Sequence, residues 1–135
     1  LWKSIYHPLD RKLVDRLSKS HPDLPAVIIS SHYGSLLSDP TDRRGLASVG
    51  RVLTSLIGIT CLRAQTGTGP QVLSHVYGLR KAFSDGTFEQ ELKENLDGAE
   101  RLATDNGNEW ILNSVDTIVE TIGGASNFAS TRAKL

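Results

Sequence analysis

The sequence is poor in several things, and each shortage excludes something. A single cysteine, Cys61, in 135 residues rules out an internal disulfide framework and fits a reducing compartment. No run of about 18 apolar residues occurs, so no membrane-spanning helix is expected. Excess charge of either sign is missing as well: fifteen Lys and Arg balance fifteen Asp and Glu. With no long-range field to attract a polyanion and no aromatic–basic patch, a nucleic-acid partner is not expected. The four histidines are scattered, with neither HxxxH nor HExxH spacing, so neither a metal site nor a cofactor is expected. "GTGP" (Gly67 to Pro70) is too short for a phosphate loop, and no Gly-Lys-Ser/Thr follows it. The chain opens at Leu1 rather than at a methionine, which points to a piece of a longer protein.

What is present reads as helix. A hydrophobic content of 39% in 14.7 kDa is enough to fill one core, so one domain is expected. Leu9, Leu13 and Leu17 repeat at i, i+4 spacing through Pro8–Ser18, and "HPDLP" (His21 to Pro25) stops that helix. Ala26–Leu37 is expected as a buried helix, because the strands its β-branched start would need as partners are absent. Leu46–Leu62 carries apolar residues on more than one face and is read as the central helix. The turn "QTGTGP" separates it from a helix whose first turn holds Pro70 and whose stripe is Val72, Val76, Leu79 and Phe83. Thr87 and Gln90 fit a capping box for a further helix through Leu102. After the break "TDNGN", a last helix from Trp110 ends at Gly123 and Gly124. The expectation is a compact all-α bundle of five or six helices over residues 1–124, followed by a polar tail, 125–135. The surplus apolar surface of Leu46–Leu62 is either a deep core position or a contact with another copy of the chain.

Chemistry has few candidates. On the helix after Pro70, Gln71, Ser74, His75 and Gly78 fall at i, i+3, i+4 and i+7, a polar face broken by glycine that suits a small cleft. His75 is then a candidate general acid or base, or a partly buried histidine bonded to a neighbouring backbone or carboxylate group. His32 and Tyr33 follow two serines, and Tyr33 can hydrogen-bond at a pocket edge. His7 and His21 lie beside prolines in loop-like sequence. Arg51 and Arg63 interrupt an apolar helix, where a bare guanidinium is costly. Each has to reach outward, pair with a carboxylate, or clamp an anionic ligand. Cys61 is expected as core packing, since no Cys-x-x-Cys accompanies it.

The stretch "GRVLTSLIGITCLRAQTGTGPQVLSHVYGLRKAFSDGT", Gly50 to Thr87, resembles the carboxymuconolactone decarboxylase-like family, which includes the alkylhydroperoxidase D-type proteins. The likeness lies in an arginine-started apolar helix, a short turn, and Gln-x-x-x-His-x-x-Gly. It extends back to "SSHYGSLLSDP", making a family-like core of about residues 30–87. The resemblance implies an all-α subunit that forms trimers, hexamers or related homo-oligomers. In the peroxidase branch a Cys-x-x-Cys-x-x-x-His motif acts with an upstream glutamate. Those cysteine positions fall here on Thr68 and Gln71, and the glutamate position falls near Leu56, so thiol peroxidase chemistry is not expected. Two readings remain: a decarboxylase- or lyase-like enzyme on a small organic acid or acyl metabolite, with His75 as acid or base and Arg51 or Arg63 orienting a carboxylate; or a non-catalytic scaffold that kept the fold.

The final tripeptide, Ala133, Lys134 and Leu135, resembles the small-basic-leucine peroxisomal import signal and follows the polar lead "GGASNFASTR". It makes the peroxisomal import receptor an expected partner and a peroxisomal matrix protein of a eukaryote, specifically a fungus, the expected setting.

Overall fold

The computed structural model of the chain describes residues 1–37, 49–65, 67–90, 92 and 96–123. Its centre is a helical hairpin of α4 (Gly50–Ala64) and α5 (Gly69–Ser84), joined by a connection too short for any but an antiparallel arrangement. Before it come α1 (Trp2–Tyr6), α2 (Asp10–Ser20) and α3 (Leu24–Val27), the last running directly into a π-helix, Ile28–Leu36. After it come a 3-10 turn (Thr87–Gln90), α6 (Leu96–Leu102) and α7 (Asp105–Thr121). No strand occurs among the described residues, and the all-α expectation holds, with seven α-helices among them.

The core lies where α7 packs across the hairpin. Val52 and Ile59 of α4, Val72, Val76, Leu79 and Ala82 of α5 and Ile111 of α7 form one buried cluster. The other side of α5 is covered by α1, whose Ile5 is buried and lies 3.3 Å from where a Cβ on Gly78 would sit. Two long cations fix α1 there by its carbonyls. Lys81 Nζ donates to Ile5 O at 3.2 Å and to His7 O, and Arg51 Nη2 donates to Ser4 O at 3.0 Å.

Several expected elements come out differently. No residue of Ile28–Leu36 is buried, and the segment winds with i→i+5 bonds, ending in Leu37 N–H to His32 O at 3.1 Å. Ser30 Oγ donates to Ala26 O at 2.6 Å, competing for a carbonyl that α-helix would need. Thr87 does not cap a long helix: its hydroxyl is held by Arg51 Nη1 at 2.9 Å and Asp85 Oδ1 at 2.8 Å, and Leu92, just past the 3-10 turn, is not helical. "TDNGN" is not a break but the start of α7. Thr104 Oγ accepts from Gly107 N at 3.1 Å as the N-cap. The α6–α7 corner is so tight that a Cβ on Gly107 would lie 2.0 Å from Arg101 O. Cys61 is exposed rather than packed in the core, because it continues the outward row of Leu53 and Ile57. The first three residues of the expected Leu46–Leu62 helix and the whole 125–135 tail, with Ala133, Lys134 and Leu135, lie outside the described residues.

Candidate functional site

α4 and α5 interlock through a polar residue and a glycine on each helix, at the same spacing. On α4 these are Ser55 and Gly58; on α5, His75 and Gly78. Each glycine faces the polar residue of the other helix. A Cβ on Gly58 would sit 2.4 Å from His75 Nδ1, and one on Gly78 would sit 3.3 Å from Ser55 Oγ. The imidazole therefore lies directly against the α4 backbone, and its residue is only 3% exposed.

From His75 a hydrogen-bonded row leads outward. Tyr6 Oη is 3.3 Å from His75 Nε2 and 2.5 Å from Tyr33 Oη, which places Tyr33 of the π-helix at the half-buried end. Trp2 closes over both tyrosines, its ring 4.3 Å from that of Tyr6 and edge-on to Tyr33 at 5.0 Å. Four aromatic groups from three separate elements, α1, the π-helix and α5, thus meet at one point. Inside the cluster, His75 Nδ1, Ser55 Oγ and Trp2 Nε1 have no hydrogen-bond partner among the described residues. Whichever way the hydroxyls are turned, Nδ1 stays without one.

The electrostatics keep this row neutral. Burial pulls the His75 pKa below its ordinary 6.5, so the imidazole is uncharged at neutral pH. Burial pushes the Tyr6 phenol strongly upward, with the Tyr33 hydroxyl adding to the effect. Tyr33 is also raised by burial, partly offset by its bond to Tyr6. A neutral imidazole is chemically able to accept a proton, but this one is sealed by Tyr6 and the α4 backbone.

The remaining candidates are spread over the fold. Arg51 is buried and closes on Asp85 (Nη1 to Oδ2 at 2.6 Å), as well as on Thr87 and the Ser4 carbonyl. Partial desolvation pushes the Asp85 carboxyl upward, but the bonds from Arg51 and Thr87 outweigh it and hold its pKa below the ordinary value. Arg63 makes a two-point bridge to Asp116 of α7, at 2.8 and 2.6 Å, on the surface. That bridge holds Asp116 below its ordinary pKa. Gln71 and His32 are exposed, and Ser74 Oγ donates to Pro70 O at 3.0 Å within its own helix. So His75 and Tyr33 are brought together, while Gln71, Ser74, His32, Arg51 and Arg63 are not joined to them. The expected polar face of α5 is divided, with His75 and Gly78 inward beside Val76 and with Gln71 outward. Among the described residues no three His, Cys, Asp or Glu side chains converge as metal ligands would.

Sequence reasoning passed over Tyr6, Trp2, Ser55 and Gly58. The small residues had a signal, Ser55 and Gly58 three apart in an otherwise apolar helix. The pairing of Tyr6 with His75, 69 residues away, had none. No family model matches the chain, and no curated protein or solved structure does so either.

Proposed function

We propose that the chain is a non-catalytic helical assembly module, kin in fold to the carboxymuconolactone decarboxylase-like proteins, that works as a homo-oligomer in the peroxisomal matrix. One observation carries the reading: α4 presents Leu53 and Ile57, 43% and 44% exposed, with Cys61 on an outward row that has no charged residue between Arg51 and Arg63. An uncharged apolar row about two turns long is costly to leave in water and is well suited to pack on its own symmetry mate. The groups that would handle a substrate are meanwhile engaged internally: Arg51 by Asp85, Arg63 by Asp116, and His75 by Tyr6. Sedimentation of the wild-type chain and of Ile57→Glu tests this. Oligomers at tens of micromolar that dissociate in the variant are expected, and a wild-type monomer overturns the proposal. The peroxisomal part rests on Ala133, Lys134 and Leu135 as a carboxyl-terminal address. Removing them from the tagged protein is expected to leave it in the cytosol, and an unchanged location removes that part.

A second reading, an enzyme acting on a small organic acid or acyl metabolite, is favoured by the buried and unpartnered His75 Nδ1 and Ser55 Oγ. A screen of such metabolites against wild type and His75→Gln separates the two. Binding lost in a folded variant supports the enzyme, and no binding across the set supports the module.

A further inference from the structure

α5 and α7 do not close on each other along their length. Between them, over α4, runs a groove of about 970 Å³ floored by Val72, Val76 and Leu112. Arg63–Asp116 bridges one end and Arg80–Asp105 the other. The charged residues that α7 contributes to its lining are all acidic: Asp105, Glu109 and Asp116. Arg63 and Arg80 neutralise two of these, and Glu109 on the groove rim has no ion pair among the described residues.

A complementary object exists elsewhere in the same chain. α2 is an amphipathic helix none of whose residues is buried; Leu13, Val14 and Leu17 are half-buried, and Leu9 is 54% exposed. Beside these residues it carries four cations, Arg11, Lys12, Arg16 and Lys19, against two acids. Its length suits the groove: both α2 and the stretch from Asp105 to Asp116 span about 16 Å at 1.5 Å per residue. α2 cannot turn into the groove of its own chain while it packs on α1 and α3, because α1 covers the Gly78 side of α5 and the groove opens along Val72 and Val76.

We propose that α2 of one copy docks in the α5–α7 groove of a second copy, its leucines on the apolar floor and its cations along the acidic α7 wall. The contact is head-to-tail, so its repetition closes a ring where the rotation per step divides a full turn and extends as a filament where it does not. It rests on the reading of the chain as an assembly module and adds to it a second interface, distinct from the α4 row.

The test is a charge swap between two exposed positions, Arg16→Glu on α2 and Glu109→Lys on α7, with association followed by sedimentation velocity. Each single change is expected to weaken the α2-dependent step by about tenfold, as for a close interfacial charge pair. The double variant, or a mixture of the two singles, is expected to return to within about threefold of wild type, the sign of a restored pair. Circular dichroism checks that both variants stay helical. Singles that associate like wild type, or a double variant weaker than either single, overturn the docking. If Ile57→Glu dissociates the oligomer while the swaps change nothing, only this interface falls. A wild-type monomer overturns both.

Discussion

α4 has one ordinary core face toward α7, with Val52 and Ile59 buried, and two others that reverse the usual distribution of residues. The inner face of that pair holds Arg51, Thr54, Ser55 and Gly58, polar or small, set against α5 and α1. Its outer face holds Leu53, Ile57 and Cys61 in solvent. The inner face is polar because close approach demands it. A leucine at position 58 would collide with the imidazole of His75, so the hairpin is held by shape, by a few buried polar groups, and by the aliphatic cluster along its α7 side. Hydrophobicity alone ranks the two faces in the wrong order. What distinguishes them is whether a neighbouring helix backbone comes within reach.

The largest effect is expected on the inner face. Gly58→Ala puts a methyl 2.4 Å from a ring that has no room to retreat, and a loss of about 2–3 kcal/mol by urea denaturation is expected. A neutral outcome would mean that the two helices can separate at no cost, and the contrast between faces would collapse. Next comes the comparison of the two arginines. Arg51→Met removes a buried guanidinium that ties Asp85, Thr87 and the Ser4 carbonyl together, for about 2 kcal/mol, the half-exposed Asp85 being free to rehydrate. Arg63→Met breaks a solvent-exposed bridge and is expected to cost under about 1 kcal/mol. Equal losses would show that burial does not separate them.

Acid sharpens the same contrast. The folded pKa of His75 lies below 6.5, so the unfolded chain takes up its proton first as pH falls. Stability contributed by the neutral imidazole is intact above 6.5 and declines as pH drops below it, levelling off once the folded state is protonated too. Thermal melts across that range should show the decline in wild type and a flatter profile in His75→Gln. Asp85 and Asp116, both held below 3.8, lose their contributions only at still lower pH. The smallest effect is expected on the outer face: Ile57→Glu, measured at concentrations where the chain is monomeric, should shift unfolding by no more than about 0.5 kcal/mol. A larger loss would place Ile57 in the chain's own core.

Local pattern made much of this architecture legible. The all-α class, the hairpin around "QTGTGP", and the stripe of Val72, Val76 and Leu79 follow from periodicity and turn chemistry, because those signals act within a few residues. The need of Arg51 for a partner was also readable, since an apolar helix cannot carry a bare guanidinium. The identity of that partner, Asp85, was not, being set by how α5 ends 34 residues later. The π-helix escaped for a similar reason: side-chain competition for carbonyls leaves no periodic trace. Cys61 was misplaced because apolar character says that a side chain prefers cover, not that its own chain supplies it. The candidate site was the least legible part, with His75 and Tyr33 visible individually and Tyr6 and Trp2 hidden in a short segment before the first strong helical pattern.

That short segment gives the molecule a built-in indicator. His75 is inaccessible because five residues, Trp2–Tyr6, lie over it, and they are kept there by Lys81 and Arg51 gripping backbone carbonyls. Backbone contacts of this kind do not depend on which side chains α1 carries, whereas the cover over the imidazole does. The rate at which an imidazole-selective reagent modifies His75 therefore reports every opening that uncovers it, whether α1 lets go alone or the α4–α5 hairpin opens with it.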